Sequence, residues 1–340
     1  MTINSRETPY IIFEIGVNHN GSTEVARRLI ESSKAAGANA VKFQFFDPDQ
    51  VVAESAEACE YQAKATGIGK QYALLRKLEL SENDILGLHS YANQLQIDFG
   101  ITFFDELAAR KFSQLPVAFQ KLPSGEIDNF ILLRELCSCP QKLIISTGMA
   151  TLHEIREVIL RARKFGKNLS DISLLHCISS YPTAHDHCNL DCLQLLKDEF
   201  GVDVGFSDHT RGMLASIVAT AQGAKVIEKH ITLDRNMPGP DHIASLEVGE
   251  LDEFVKVLRE VSVIKGLRAK IVSEDEANNK KLVRRSIFMA RDVVVDQQLC
   301  EEDFILLRPG TGVPAGRLES FIGTIAHKNF SKGEMFTEPL

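Results

Sequence analysis

The chain has 340 residues, 44% hydrophobic and 25% charged, and its 38 basic against 46 acidic side chains give a formal charge of −8. At ~150 residues per domain this suggests about two domains with a large core and excludes fibrous, collagenous and disordered classes. No apolar run approaches the roughly 18 residues of a membrane span, no secretory leader is visible at MTINSRETPY, and the tight basic cluster Lys280, Lys281, Arg284, Arg285 follows an acidic run, so a cytoplasmic protein without nucleic-acid or membrane partners is expected.

Eight short apolar, β-branched runs alternate with stretches of helical period between residue 10 and about 267. In order they are YIIFEIGV (10–17), AVKFQFF (40–46), IDFGITFF (97–104), AFQKLPS (118–124), KLIISTG (142–148), ISLLHCI (172–178), VDVGFSDH (202–209) and KVIEKHI (225–231). The first helix is expected to start near Thr23, with Val25, Leu29 and Ile30 on one side, and to stop at Gly37. TLHEIREVILRARKFG carries a capping box, Thr151 with Glu154, and closes at Gly166. Eight strands each followed by a helix predict an α/β fold, a (β/α)8 TIM barrel over 1–267; a doubly wound sheet is less suited, because no Gly-rich dinucleotide turn follows the first strand.

Beyond Gly266 the hydrophobic period lapses in AKIVSEDEANNKK, which predicts a polar linker over 268–283. About fifteen extended residues there would reach some 50 Å. Residues 284–340, with short runs such as SIFMA and FILL punctuated by RPGTG and SKGE, predict a small β-rich domain. Seven scattered cysteines without a CxxC pair predict free thiols.

Active sites of such barrels lie at the C-terminal strand ends. Polar residues there are Glu14 and Asn18, Lys42 and Gln44, Lys121 and Ser124, Ser146, His176 with Tyr181 beyond it, Ser207 with Asp208 and His209, and Glu228 with His230. Charges inside apolar strands are costly to bury unpaired, which favours function for the set. His209 and His230 end adjacent strands and suit a shared, exchangeable Mn²⁺ or Mg²⁺, with core histidines as the plain alternative. Lys42 and Lys121 with Ser124, Ser146 and Ser207 read as an anion cradle, unless the lysines merely pair with Glu14 or Glu126.

Seven ordered motifs carry a resemblance: EIGVNHNG (14–21), AVKFQ (40–44), QKLPSGE (120–126), STGM (146–149), HCISSYP (176–182), GFSDHT (205–210) and EKH (228–230) with PGPD (238–241). Together they resemble the sialic acid synthase family, and RPGTG (308–312) with NFSKGE (329–334) is similar to its C-terminal antifreeze-like (SAF) domain. The resemblance implies a transferase that condenses phosphoenolpyruvate with an N-acylated mannosamine-type sugar, here N-acetylmannosamine, to N-acetylneuraminate and phosphate. It implies His209 and His230 as ligands of Mn²⁺ or Mg²⁺, with no organic cofactor. Phosphoenolpyruvate would meet Lys42, Lys121, Ser124, Ser146 and Ser207, and the sugar Gln44, Tyr181, Asp241 and Glu14. Glu14, Lys121 and Asp241 are the implied catalytic groups, Glu14 foremost for proton handling.

Where some relatives have Asn-Ile before the Tyr-Pro of the sixth motif, this chain has Ser179 and Ser180. AEACEYQAKATG (56–67) and LLRKLEL (74–80) resemble a branch that also includes legionaminate synthases, which take 2,4-diacetamido-2,4,6-trideoxymannose. The resemblance further implies a domain-swapped homodimer in which Arg308 contacts the N-acyl sugar of a neighbouring barrel. Two rivals remain: a Schiff-base aldolase using Lys121, and a sugar- or ice-binding module using the C-terminal domain alone.

Overall fold

The computed structural model describes residues 8–266 and 269–338, and the chain divides into two compact units after Gly266. In the first, β1 (Tyr10–Gly16), β2 (Ala40–Phe45), β3 (Asp98–Phe103), β4 (Phe119–Leu122), β5 (Lys142–Ser146), β6 (Ile172–Cys177), β7 (Asp203–Asp208) and β8 (Val226–Thr232) pair in parallel in chain order. Pairing of β1 with β8 closes the sheet into a TIM-type barrel. A short β9 (Leu246–Glu247) pairs in parallel with Ile231 and Thr232 at the C-terminal end of β8.

Side chains alternate across each strand. Ile11, Phe13 and Ile15 of β1 turn outward and join Val41, Phe43, Leu29, Ile85 and Leu88 in the layer between strands and helices. Inward residues near the strand starts, Ile12, Ala40, Phe119, Ile144, Leu175 and Val226, form a separate apolar plug. The Phe119 ring fills the space beside Gly100, where an added Cβ would lie 2.1 Å from it. Above this plug the inward positions become polar, so the same alternation that seals the bottom builds a hydrophilic mouth.

The expected helix ends follow their local chemistry. Helix Thr23–Ala35 is capped by the Ser22 hydroxyl, which accepts from Val25 N, and Gly37 follows in the left-handed region at φ +79°. Thr151 and Glu154 form the reciprocal capping box of helix Leu152–Lys164. One connection departs from the one-strand, one-helix pattern: between β2 and β3 the chain forms helices Pro48–Val51, Glu60–Thr66, Gln71–Leu78 and Glu82–Gln94. Leu74 and Leu78 of this excursion pack with Val17 and Phe46 beyond the ends of β1 and β2.

In the second unit β10 (Ser286–Met289) runs antiparallel to β11 (Phe304–Leu307), around a core of Ile287, Met289, Val293, Phe321, Phe330 and Phe336. The expected extended linker over 268–283 needs correction, because Glu274–Val283 is a helix. It buries none of its side chains, so it lacks the apolar stripe that periodicity detects. Its signal is the capping box Ser273–Glu276, with acidic residues in the first turn and Lys280 and Lys281 in the last. Ten helical residues span about 15 Å, which removes much of the reach of an extended segment.

Candidate active site

Strand register places the polar residues opposite one another. Glu14 on β1 faces Lys42 on β2 and His230 on β8; Thr102 on β3 faces Gln44 and Lys121; Ser207 on β7 faces Glu228. These side chains, with Ser124, Ser146, Tyr181, His209 and Asp241, line one cavity of about 220 Å³ at the C-terminal end of the barrel. Val17, Leu74, Leu75, Leu78, Phe104 and Met149 add an apolar wall, part of it supplied by the excursion between β2 and β3.

Its floor is a quartet of alternating charge. Lys42 Nζ lies 2.6 Å from Glu14 Oε2 and 3.8 Å from Glu228 Oε2, while Lys121 Nζ lies 2.5 Å from Glu228 Oε1. All four are between 1% and 6% exposed. Lys42 also donates to Thr102 Oγ1 (2.8 Å), Gln44 Nε2 to Glu14 Oε1 (2.9 Å), and Ser207 Oγ to Glu228 Oε1 (2.8 Å). Four charges that sum to zero make burial tolerable, whereas a lone one is not.

The two carboxylates are driven apart. Burial raises Glu14 above the usual carboxylate range, and its ion pair with Lys42 only partly offsets this. Glu228 meets the same burial, but Lys121 and Lys42 together outweigh it and hold the carboxyl below its ordinary value. Lys121 is correspondingly raised: burial lowers it, Glu228 and Glu14 more than restore it, and it stays an ammonium group. Held 2.5 Å from Glu228, it is poorly suited to the free-amine attack of a Schiff-base aldolase. Asp241 is pushed up to about 7, by burial first and by Glu14 second.

His209 follows β7, and its Nδ1–H donates to Ile178 O at 2.7 Å, which leaves Nε2 as the acceptor. Tyr181 stacks on it at 4.0 Å between ring centroids, with its hydroxyl 3.0 Å from Nε2. The His230 ring centre is 5.6 Å from that of His209, and its buried Nδ1 has no hydrogen-bond partner. Burial pushes His209 down to about 4 and His230 well below the ordinary imidazole value, so both are neutral at pH 7. Among the described residues no three His, Cys, Asp or Glu side chains gather as a metal cage. Two neutral imidazoles, one with an orphaned nitrogen, fit a labile divalent ion that takes its other ligands from substrate and water; they do not fit structural zinc.

Ser124 Oγ accepts from Gly148 N at 2.9 Å, and Ser146 Oγ is buried without a partner. Three other strand-end residues turn away from the cavity. His176 bonds Cys188 O at 2.8 Å, Asn18 donates to Ile231 O and Ser245 Oγ, and Asp208 pairs with Lys229. Parity explains His176 and Asp208, each one residue from an inward Cys177 or Ser207. Arg308 follows β11 in the second unit and is exposed. Two further residues line the cavity without a role assigned by the sequence: Glu228, on β8, and Thr102, which stands between apolar neighbours although inward parity from Gly100 marks it.

Asn18 and Asn20 of the first motif hold the loop that carries Asp241, through Ser245 and His242, and His19 lies between them. His19 Nδ1 accepts from Gly21 N at 2.9 Å, and His242 Nδ1 lies 2.8 Å from Thr232 Oγ1. Burial pushes both imidazoles down to about 4. An unfolded imidazole takes its proton near pH 6.5, so between there and pH 4 the unfolded chain binds more protons. Stability is therefore expected to fall as pH drops through that window, by roughly 3 kcal/mol per group. Urea unfolding at pH 7 and pH 4.5 measures it, and His19→Gln or His242→Gln should flatten the dependence.

The sequence profile of the NeuB family matches residues 29–270. An N,N'-diacetyllegionaminic acid synthase of Legionella pneumophila is 43% identical over 332 residues, covering 97% of this chain and 93% of that protein. An N-acetylneuraminate-9-phosphate synthase of Drosophila melanogaster is 38% identical over 251 residues, 72% of this chain and 66% of its own length. Among solved structures, the N-acetylneuraminic acid (sialic acid) synthetase of Leptospira borgpetersenii serovar Hardjo-bovis, in complex with citrate, superposes with a TM-score of 0.72 at 30% identity, covering 81% of this chain and 91% of that one. With the closed barrel and its charged mouth, these matches establish that the chain belongs to the NeuB family, the phosphoenolpyruvate-dependent synthases of sialic and legionaminic acids.

Proposed function

We propose that the enzyme condenses phosphoenolpyruvate with open-chain N-acetylmannosamine to give N-acetylneuraminate and inorganic phosphate. The observation that carries this reading is the buried quartet Glu14, Lys42, Glu228 and Lys121 beside the paired imidazoles of His209 and His230. Lys42 and Lys121 meet the phosphate and carboxylate of phosphoenolpyruvate, with hydroxyls of Ser124, Ser146 and Ser207 around them. Gln44, Tyr181 and Asp241 face the sugar. His209 and His230 would hold Mn²⁺ or Mg²⁺, which when bound would supply Lewis acidity at the aldehyde oxygen.

C3 of phosphoenolpyruvate attacks the aldehyde carbon, whose oxygen takes a proton, and C2 becomes an oxocarbenium ion. Water adds at C2 and releases a proton. The C2–O bond to phosphate then breaks, the C2 hydroxyl gives its proton to the departing phosphate, and the 2-keto acid remains. Glu14, with its raised carboxyl beside Lys42, handles the proton at water or sugar. Asp241, poised near neutrality, is a second proton carrier on the sugar side.

The second unit is read as an antifreeze-like (SAF) domain, and the assembly as a homodimer in which Arg308 of one subunit reaches the sugar bound to the other. A planar guanidinium suits an amide carbonyl and hydroxyls. Relatives 43% and 40% identical are named N,N'-diacetyllegionaminic acid synthases, so 2,4-diacetamido-2,4,6-trideoxymannose is the second sugar to test.

The test is phosphate release from phosphoenolpyruvate labelled with ¹⁸O at the bridging oxygen, with each sugar in turn. N-acetylmannosamine should support turnover with the label recovered in phosphate, and Arg308→Ala should raise the sugar KM far more than that of phosphoenolpyruvate. Turnover with the diacetamido sugar alone reassigns the substrate. No release with either, or label retained in the keto acid, overturns the reaction.

A further inference from the structure

We propose that Asp208 and Lys229, on the outer face of β7 and β8, form a positioning clamp that holds His209 and His230 at the separation a divalent cation requires. The inference rests on the reading of those histidines as a metal pair. Neither clamp residue lines the cavity; both are fully buried behind its wall, paired at 3.2 Å, and opposite each other in the strand register.

Thr210, the residue after His209, has every polar group bound into this pair. Its backbone N–H and hydroxyl both donate to Asp208 Oδ1 at 2.8 Å, and its carbonyl accepts from Lys229 Nζ at 2.5 Å. The other carboxylate oxygen of Asp208 accepts from Ser216 Oγ at 2.6 Å, which ties the cluster to helix Leu214–Gln222. The backbone is thus fixed on both sides of His209, by Asp208 before it and Thr210 after it. Lys229 stands between Glu228 and His230, so the same ion pair links the two strand ends that carry the imidazoles.

Stability alone does not account for this arrangement. Two charges removed from water cost several kcal/mol each, and apolar replacements for a buried pair are often neutral or stabilising. What an apolar pair cannot supply is a set of directed bonds to Thr210. Outer partners that orient metal-binding histidines alter metal affinity without touching the metal.

The experiment titrates the purified full-length chain with Mn²⁺, following the free-ion signal by electron paramagnetic resonance. In the double variant Asp208→Leu/Lys229→Met, the Mn²⁺ Kd should rise about 10- to 100-fold, while circular dichroism stays native. The thermal shift given by phosphoenolpyruvate should persist, because Lys42 and Lys121 stand on β2 and β4. A folded double variant whose Mn²⁺ Kd stays within twofold of wild type overturns the clamp. If the double variant fails to fold, Thr210→Val replaces it. That change removes the hydroxyl bond to Asp208 but keeps side-chain shape and backbone, and a Kd raised at least threefold supports the clamp where an unchanged one overturns it. Wild-type protein that binds no Mn²⁺ overturns the metal reading itself and the clamp with it, an outcome distinct from equal binding by wild type and variant.

Discussion

Replacing His209 with alanine should lower turnover about a thousandfold while leaving the barrel folded. The loss has two sources in the geometry. The variant lacks the Nε2 that Tyr181 and Ser207 now hold facing the cavity, at 3.0 and 3.2 Å. On the metal reading it also lacks one of the two neutral imidazoles that would hold a divalent ion, whose Lewis-acid assistance would contribute several kcal/mol, or about two to three powers of ten. The cost to stability is smaller, because His209 O still accepts from Thr183 N and the flanking Asp208 and Thr210 keep their bonds. Loss of the ring's bond to Ile178 O and of its stacking on Tyr181 amounts to about 2 kcal/mol. The check is kcat alongside a thermal melt. A variant retaining a tenth or more of wild-type turnover would mean that His209 is a wall residue, with His230 acting alone.

How far the sequence discloses this site depends on which interaction places each residue. Strand residues were legible, since alternation fixes which side chains turn inward: Glu14, Lys42, Lys121, Ser207 and His230 lie on faces that the apolar positions beside them define. The same rule separates Ser207 from Asp208 and Glu228 from Lys229, yet chemical type alone made Asp208 and His176 look equivalent to their inward neighbours. Thr102 was missed because one hydroxyl in an aromatic strand carries no chemical signal; it matters only through Lys42, sixty positions away. Asp241 sits on a loop without periodicity, so only the resemblance of its motif pointed to it. Helix Glu274–Val283 is hidden for the opposite reason, having local capping and charge signals and no buried face. Patterns set by burial are readable locally, and contacts set by closure of the barrel are not.

Glu228→Gln should produce the largest stability loss of any change in the cavity, and phosphoenolpyruvate should reverse much of it. Glu228 is the carboxylate shared by both lysines, at 2.5 Å from Lys121 and 3.8 Å from Lys42. With an amide in its place, Glu14 alone faces two buried ammonium groups and the floor carries a net positive charge. Breaking a buried pair from one side costs about 3–5 kcal/mol, which for a barrel of this size lowers the melting temperature by roughly 10 °C. On the proposed reading phosphoenolpyruvate would bring its own anionic oxygens to the same lysines, so its saturating thermal shift should be larger in the variant than in wild type. Turnover should still fall, because the glutamine no longer holds Lys121 and the Ser207 hydroxyl as an ionised carboxylate does. Differential scanning calorimetry of both proteins, with and without phosphoenolpyruvate, separates the two effects. Equal stability and equal ligand shifts would show that the lysines do not depend on Glu228 for their charge balance, and the coupled quartet would be the wrong description of the floor.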